Sequence, residues 1–179
     1  ADVDALQQTF GSPPSAALID IKQGLSDPHN GGQAVSVLTF DTPDGDNTSR
    51  LVYKPKDMGV DLAYQQALNH LNGNSALTPL RSLSIYCGDG YGYMEFVEHR
   101  LCTGDDELKL FYRNAGRLTA VLNLFGCTDC HYENLIACGD QLLLIDTETL
   151  LEADLPDHIG EASDHQTSLN QSDLQKRFQ

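Results

Sequence analysis

Apolar and polar positions first alternate clearly at Val35. Val35, Val37 and Thr39 share one face while Ser36, Leu38 and Phe40 share the other, the period of two that predicts a strand. Asp41-Thr42-Pro43-Asp44-Gly45-Asp46-Asn47 supplies turn chemistry, with Pro presetting φ and Gly accepting positive φ. Leu51-Val52-Tyr53 returns as the partner strand and runs into Lys54-Pro55-Lys56, so the region reads as a hairpin. The period then lengthens. Tyr64, Ala67, Leu68 and Leu71 recur at helical spacing, which predicts an amphipathic helix from about Asp61 to Leu71, with Asp61 as its cap and Gly73 near its end. A second hairpin is expected over Ser82 to Cys87 and Tyr93 to Val97, joined by Gly88-Asp89-Gly90. Leu108, Phe111, Tyr112, Ala115, Thr119 and Leu122 predict the longest helix, from about Asp105 to Phe125, acidic in its first turn and stopped by Gly126. Leu135-Ile136-Ala137 and Leu142-Leu143-Leu144-Ile145 predict a last tight hairpin around Gly139-Asp140. From Gly160 onward the chain is polar and weakly patterned. This order is α+β, an antiparallel sheet followed by a helical part.

Composition narrows the function classes. The chain has 179 residues, 26 Asp+Glu against 11 Lys+Arg, and a formal net charge of −15. That balance, with a pI near 4.4, argues against a nucleic-acid partner bound through its phosphates. Hydrophobic residues make up 40%, enough for one folded domain rather than a disordered chain. No run approaches the ~18 apolar residues of a membrane span. Ala1-Asp2-Val3-Asp4 lacks the basic start and apolar run of a secretion signal, so a cytoplasmic setting is expected. Because Ala1 is not an initiator Met, the chain is read as processed or as part of something longer. Cys87, Cys102, Cys127, Cys130 and Cys138 are too few and too odd in number for a disulfide framework, so free thiols are expected.

The densest chemistry lies in Thr128-Asp129-Cys130-His131-Tyr132-Glu133-Asn134, just after the long helix. Asp129 and Asn134 are spaced like the Asp and Asn of a kinase catalytic loop. Asp146 follows the next hairpin, where such a site needs a second metal-binding carboxylate. Phosphoryl transfer depends mostly on positioning and on neutralising phosphate charge. Mg²⁺ takes oxygen ligands, one or two carboxylates plus substrate phosphates. Asn134 and Asp146 would supply protein oxygens for Mg²⁺ and ATP, while Asp129 would orient a hydroxyl and accept its proton. Lys54, at the end of a strand, is the candidate phosphate-holding cation. Its acidic partner would be Asp61 or Asp57, since the helix after it contains no Glu. Glu95 reads either as a nucleotide-contacting residue at the back of the cleft or as a core-edge charge. Cys127-Thr128-Asp129-Cys130-His131 also matches the haem pattern C-x-x-C-H, but no export signal accompanies it, and zinc would lack a second ligand pair.

Five motifs, in order, carry a resemblance: Ser26-Asp27-Pro28-His29-Asn30-Gly31-Gly32, Tyr53-Lys54-Pro55-Lys56, Gly92-Tyr93-Met94-Glu95-Phe96-Val97, Asp129-Cys130-His131-Tyr132-Glu133-Asn134 and Asp146-Thr147-Glu148-Thr149. From about Leu18 to Leu155 the chain resembles the dehydratase domain of type 2 lanthipeptide (lantibiotic) synthetases. The resemblance implies a protein/lipid-kinase-like fold. It also implies an enzyme that phosphorylates Ser/Thr of a precursor peptide with ATP and Mg²⁺, then eliminates phosphate to leave dehydroamino acids. Carried over by position, it implies that Lys54 contacts phosphate, that Asn134 and Asp146 hold Mg²⁺, and that Asp129 and His131 serve phosphorylation. Asp27 and His29 would lie in a loop facing the same cleft. Gln33 departs from the basic residue such enzymes often carry there.

The expected organisation is therefore an incomplete kinase-like unit. Residues 1–97 would form an N-terminal helix and a sheet-bearing small lobe. Residues 98–159 would begin a helical lobe carrying the catalytic loop and metal-binding hairpin, and 160–179 a polar tail. Partners would be a Ser/Thr/Cys-containing precursor peptide and the rest of the synthetase, including a zinc cyclase domain. The sequence ends 33 residues after Asp146, so this chain alone is expected to be a weak catalyst. A plain kinase-like phosphotransferase and a non-catalytic nucleotide- or peptide-binding module are the alternatives.

Overall fold

The computed structural model describes residues 2–11, 17–24, 34–41 and 48–150. Within them the order is α1 (Val3–Phe10), β1 (Leu18–Lys22), β2 (Ser36–Asp41), β3 (Thr48–Lys54), α2 (Gly59–Gly73), β4 (Ile85–Cys87), β5 (Gly92–Glu95), α3 (Asp105–Leu124), β6 (Leu135–Cys138) and β7 (Gln141–Leu144). The first five strands form one antiparallel sheet in the order β1-β2-β3-β5-β4, and β6 and β7 form a separate hairpin. Among the described residues there are thus an antiparallel sheet, three helices and a separate hairpin. The expected polar tail lies outside the described residues.

Side-chain alternation sets the register. Val37 pairs with Val52, and Val52 with Met94, so three adjacent strands place apolar side chains on one face. Strand β1 has no counterpart among the predicted strands. Leu18-Ile19-Asp20-Ile21-Lys22 alternates too briefly, a register shift interrupts it between Leu18 and Asp20, and its residues are exposed. The second hairpin is shorter than expected because the backbone before β4 bonds elsewhere. Leu83 donates its N–H to Gln65 Oε1 (2.8 Å) and Ser84 to Glu95 Oε2 (2.8 Å), so these amides leave the ladder for side chains.

Helix α2 begins at Gly59, and its start corrects the assignment of Asp61 as cap. Asp57 Oδ1 accepts the Gly59 N–H at 2.7 Å, while Asp61 is buried, 3% exposed, inside the first turn. Asp57, two residues before the helix start, takes that first amide, and Asp61 turns into the interior.

Two apolar clusters meet at β7. Tyr64, Leu68, Leu80, Leu118, Leu122, Leu144 and Leu150 join α2 to α3, while Met58, Leu83, Ile85, Met94, Val97 and Leu143 lie under the sheet. Leu143 and Leu144 are consecutive and so face opposite sides of the strand, tying the small hairpin into both clusters. Asn114 fixes α3 to the same hairpin: it is fully buried and its Nδ2 donates to the Asp140 carbonyl at 2.9 Å. At Gly139 the turn adopts φ 61°, and a Cβ there would collide with the Arg100 guanidinium.

The segment entering α3 is organised by Glu107. Its carboxylate accepts from Arg100 Nη2 (2.6 Å), from the Thr103 N–H (2.5 Å) and from the Thr103 hydroxyl (2.8 Å). The Arg100 hydrogen bond, then the two from Thr103, hold its carboxyl at about 2, below the ordinary 4.5. A depressed carboxyl contributes stability above its unfolded value and loses it as pH falls toward its folded one. Unfolding midpoints should therefore fall between about pH 4.5 and pH 2 in the native chain, and fall less in Glu107→Gln. Denaturant titrations across that range check this; equal falls in both proteins would contradict it.

Candidate functional site: a cleft between the sheet and the β6–β7 hairpin

The apolar face of the sheet forms one wall of a cleft of about 890 Å³, lined by Val35, Val37, Val52, Met94 and Phe96. Opposite lie side chains from the loop before β6 and the segment after β7: Asp129, His131, Asn134, Asp146, Glu148 and Thr149. Lys54 joins them from the end of β3. Thus Lys54, Asp129, Asn134 and Asp146, spread over 93 positions, line one opening to solvent.

Strand periodicity aims Lys54. It shares the face of Val52, while Tyr53 points to the other side and packs against Tyr93, with ring centroids 5.4 Å apart. The Lys54 side chain is 5% exposed, and a buried ammonium without partners would be costly. Two groups offset that cost: Nζ donates to the Ile145 carbonyl at 2.6 Å and lies 3.5 Å from Asp61 Oδ1, whose side chain is also 5% exposed. Of the two acidic options, Asp61 is the partner, while Asp57 accepts the Gly59 N–H at the start of α2.

The loop carrying Asp129 is held from inside and out. Asn134 Nδ2 donates to the Asp129 carbonyl (2.9 Å) and to Asp129 Oδ2 (3.2 Å). His131 Nδ1 accepts the Glu133 N–H at 3.2 Å, which leaves the ring proton on Nε2 in the neutral imidazole. That Nε2 lies 3.1 Å from Asp129 Oδ1, so Asn134 and His131 between them orient the carboxylate. The Asp129 N–H donates to Thr149 Oγ1 at 3.1 Å, and the Ile145 N–H donates to the Asn134 carbonyl at 2.9 Å. Asp129, Asn134 and Asp146 therefore sit on segments stitched to each other.

Asp146 accepts Lys56 Nζ at 2.9 Å and the Glu148 N–H at 3.2 Å, both on Oδ1. Burial pushes its carboxyl up, but the Lys54 charge, the Lys56 ammonium and the Glu148 N–H outweigh it and hold the group below its ordinary value. Lys56 also meets Glu148 Oε1 at 2.7 Å. Burial lowers the Lys56 ammonium, and the two carboxylates more than restore it, leaving it above its ordinary value. Lys56 and Glu148 were not among the expected site residues. The signal for Lys56 was its two-residue spacing from Lys54, obscured because Pro55 between them cannot donate to a ladder.

Two sequence readings change. Glu95 is not placed in the cleft: its carboxylate accepts from Arg81 Nη2 (2.6 Å) and from the Ser84 N–H, on the opposite face of β5 from Met94 and Phe96. It is a core-edge charge. The free-thiol expectation holds for Cys87, Cys102 and Cys138, whereas Cys127 and Cys130 are joined as a disulfide, their Cα atoms 6.2 Å apart and within bridging range. Asp27, His29 and Gln33 lie outside the described residues.

Among the described residues no three His, Cys, Asp or Glu side chains group to hold a metal ion, and Cys127 and Cys130 are bonded to each other. The donors that fit a cation here are oxygens. Asn134 Oδ1 and Asp146 Oδ2 take no hydrogen bond among the described residues, and both side chains line the cleft. Two such oxygens suit a Mg²⁺ whose remaining ligands come from phosphates and water. No helix among the described residues is long and apolar enough to cross a membrane.

Comparison with known proteins places the chain. The family described as Domain of unknown function (DUF4135) matches residues 1–177, and the chain belongs to that family. It is also 29% identical over 132 residues to the lacticin 481/lactococcin biosynthesis protein LcnDR2 of Lactococcus lactis subsp. lactis. That match covers 69% of this chain and 14% of the relative, so the chain spans a small part of that protein's length.

Proposed function

We propose that this DUF4135-family chain is the nucleotide-handling part of a lanthipeptide synthetase dehydratase, with a kinase-like fold that phosphorylates Ser or Thr of a precursor peptide. The reading rests above all on Lys54, Asp129, Asn134 and Asp146 lining one open cleft. The similarity to a lantibiotic biosynthesis protein supports the peptide as substrate.

The chain's own groups divide the work. The valine wall takes the flat, apolar part of ATP, and the Lys54 ammonium draws in its phosphates. Asn134 and Asp146 would hold Mg²⁺, which when bound neutralises phosphate charge. Asp129 receives a Ser or Thr hydroxyl and takes its proton as the oxygen bonds to the γ-phosphorus, while the bond from that phosphorus to the bridging oxygen breaks and ADP leaves. His131 Nε2–H and the Asn134 amide keep the Asp129 carboxylate turned toward the substrate. Loss of the phosphate from the peptide, with the Cα proton, is assigned to the remainder of the synthetase.

Incubating the chain with ATP, Mg²⁺ and a Ser/Thr-rich precursor peptide, then weighing the peptide, tests this. Low-yield gain of a phosphoryl group is expected. No mass change together with no nucleotide binding would overturn the reading, and efficient loss of water would overturn the assignment of elimination elsewhere.

A further inference from the structure

Lys56 has no part in the transfer just described, yet it bridges two residues of the cleft lining, Asp146 and Glu148. Its side chain is 25% exposed, and its ammonium bridges Asp146 Oδ1 (2.9 Å) and Glu148 Oε1 (2.7 Å). The Glu148 N–H converges on the same Asp146 oxygen at 3.2 Å. One carboxylate oxygen of Asp146 is thus filled by two donors, and the other takes none among the described residues.

That asymmetry matters for cation choice. Ca²⁺ accepts six to eight oxygens and readily takes a carboxylate through both, whereas Mg²⁺ demands a compact octahedron. A carboxylate with one oxygen already occupied can offer only the other. We propose that Lys56 is a positioning residue that sets cation specificity: by occupying Asp146 Oδ1 and tethering Glu148, it confines Asp146 to one-oxygen ligation and disfavours Ca²⁺. The inference rests on the nucleotide reading above. Removing the ammonium takes one of the two donors from Asp146 Oδ1 and releases Glu148 Oε1, which widens the set of oxygens beside Asp146 Oδ2 and favours the larger ion. A role confined to stability would weaken binding with both ions alike.

Calorimetric titration of ATP into the chain, with Mg²⁺ or Ca²⁺ as the sole divalent ion, measures the preference. In Lys56→Met, affinity in Ca²⁺ relative to Mg²⁺ should rise by about tenfold, the lower end of what groups behind a metal ligand do to metal affinity. Lys56→Gln should shift it the same way, which covers a Met variant that fails to fold. Lys56→Arg, which keeps a cation between the two carboxylates, should restore the native ratio. A native chain that binds MgATP, with an unchanged ratio in the Met and Gln variants, would overturn the role of Lys56 alone. A native chain that binds ATP with neither ion would overturn the nucleotide reading and the inference with it.

Discussion

Lys54→Met should abolish MgATP binding and lower the stability of the nucleotide-free chain by roughly 3–5 kcal/mol, the usual cost of removing one partner of a buried pair. Both side chains of the Lys54–Asp61 pair are 5% exposed, so the substitution strands a carboxylate inside the protein. It also removes the donor on the Ile145 carbonyl, one residue before Asp146. Against a total stability of about 5–15 kcal/mol this is a large loss, so folding and binding must be separated. Lys54→Met combined with Asp61→Leu does so. With no stranded charge, the double variant should recover much of the lost stability and still fail to bind, since the phosphate-holding ammonium is gone. Urea unfolding and calorimetric titration of the three proteins check both halves. Binding by the double variant at native affinity would remove Lys54 from the site.

Asp129→Asn should do the opposite: leave MgATP binding near the native level and reduce phosphoryl transfer by about 10²–10⁴-fold. Nothing in the nucleotide contacts proposed here passes through Asp129, but the proton from the substrate hydroxyl does. The stability cost should be about 1 kcal/mol, because Asn supplies a single acceptor where His131 Nε2 and Asn134 Nδ2 now donate to two. Single-turnover measurement with the precursor peptide, beside a nucleotide titration, separates the two quantities. A variant that transfers phosphate at the native rate would dismiss Asp129 as base.

The elements legible in the sequence were those with a long, unbroken period. The β2–β3 pairing was readable from Val35 to Tyr53. The extent of α3 was readable from helical spacing, but its buried face was not: Asn114, Leu118 and Leu122 are buried, while Leu108, Tyr112 and Thr119 of the expected face are exposed. Strand β1 was not legible, since an exposed and irregular edge strand has no buried face to impose a repeat. The site behaved similarly. Asp129, Asn134 and Asp146 stood out through their spacing, and the structure brings them beside Lys54. Lys56 and Glu148, which tune Asp146, were hidden. Asp61 was read both as a helix cap and, with Asp57, as an option for the partner of Lys54; the geometry separates the two, with Asp61 beside Lys54 and Asp57 on the Gly59 N–H. Glu95 failed for a reason specific to strands: its neighbours Met94 and Phe96 do line the cleft, and alternation turns the residue between them away. The Cys127–Cys130 bridge depends on how the loop folds back, which a spacing of three does not specify.

The most direct test of the cleft as a nucleotide site is a backbone-amide NMR titration of the chain with MgATP. Resonances of Val52, Lys54, Asn134 and Asp146 should move together and saturate at one concentration, with the outer sheet residues Tyr86 and Tyr93 unmoved. Shifts confined to other surfaces, or no shifts at millimolar nucleotide, would contradict a triphosphate seated between the sheet and the β6–β7 hairpin.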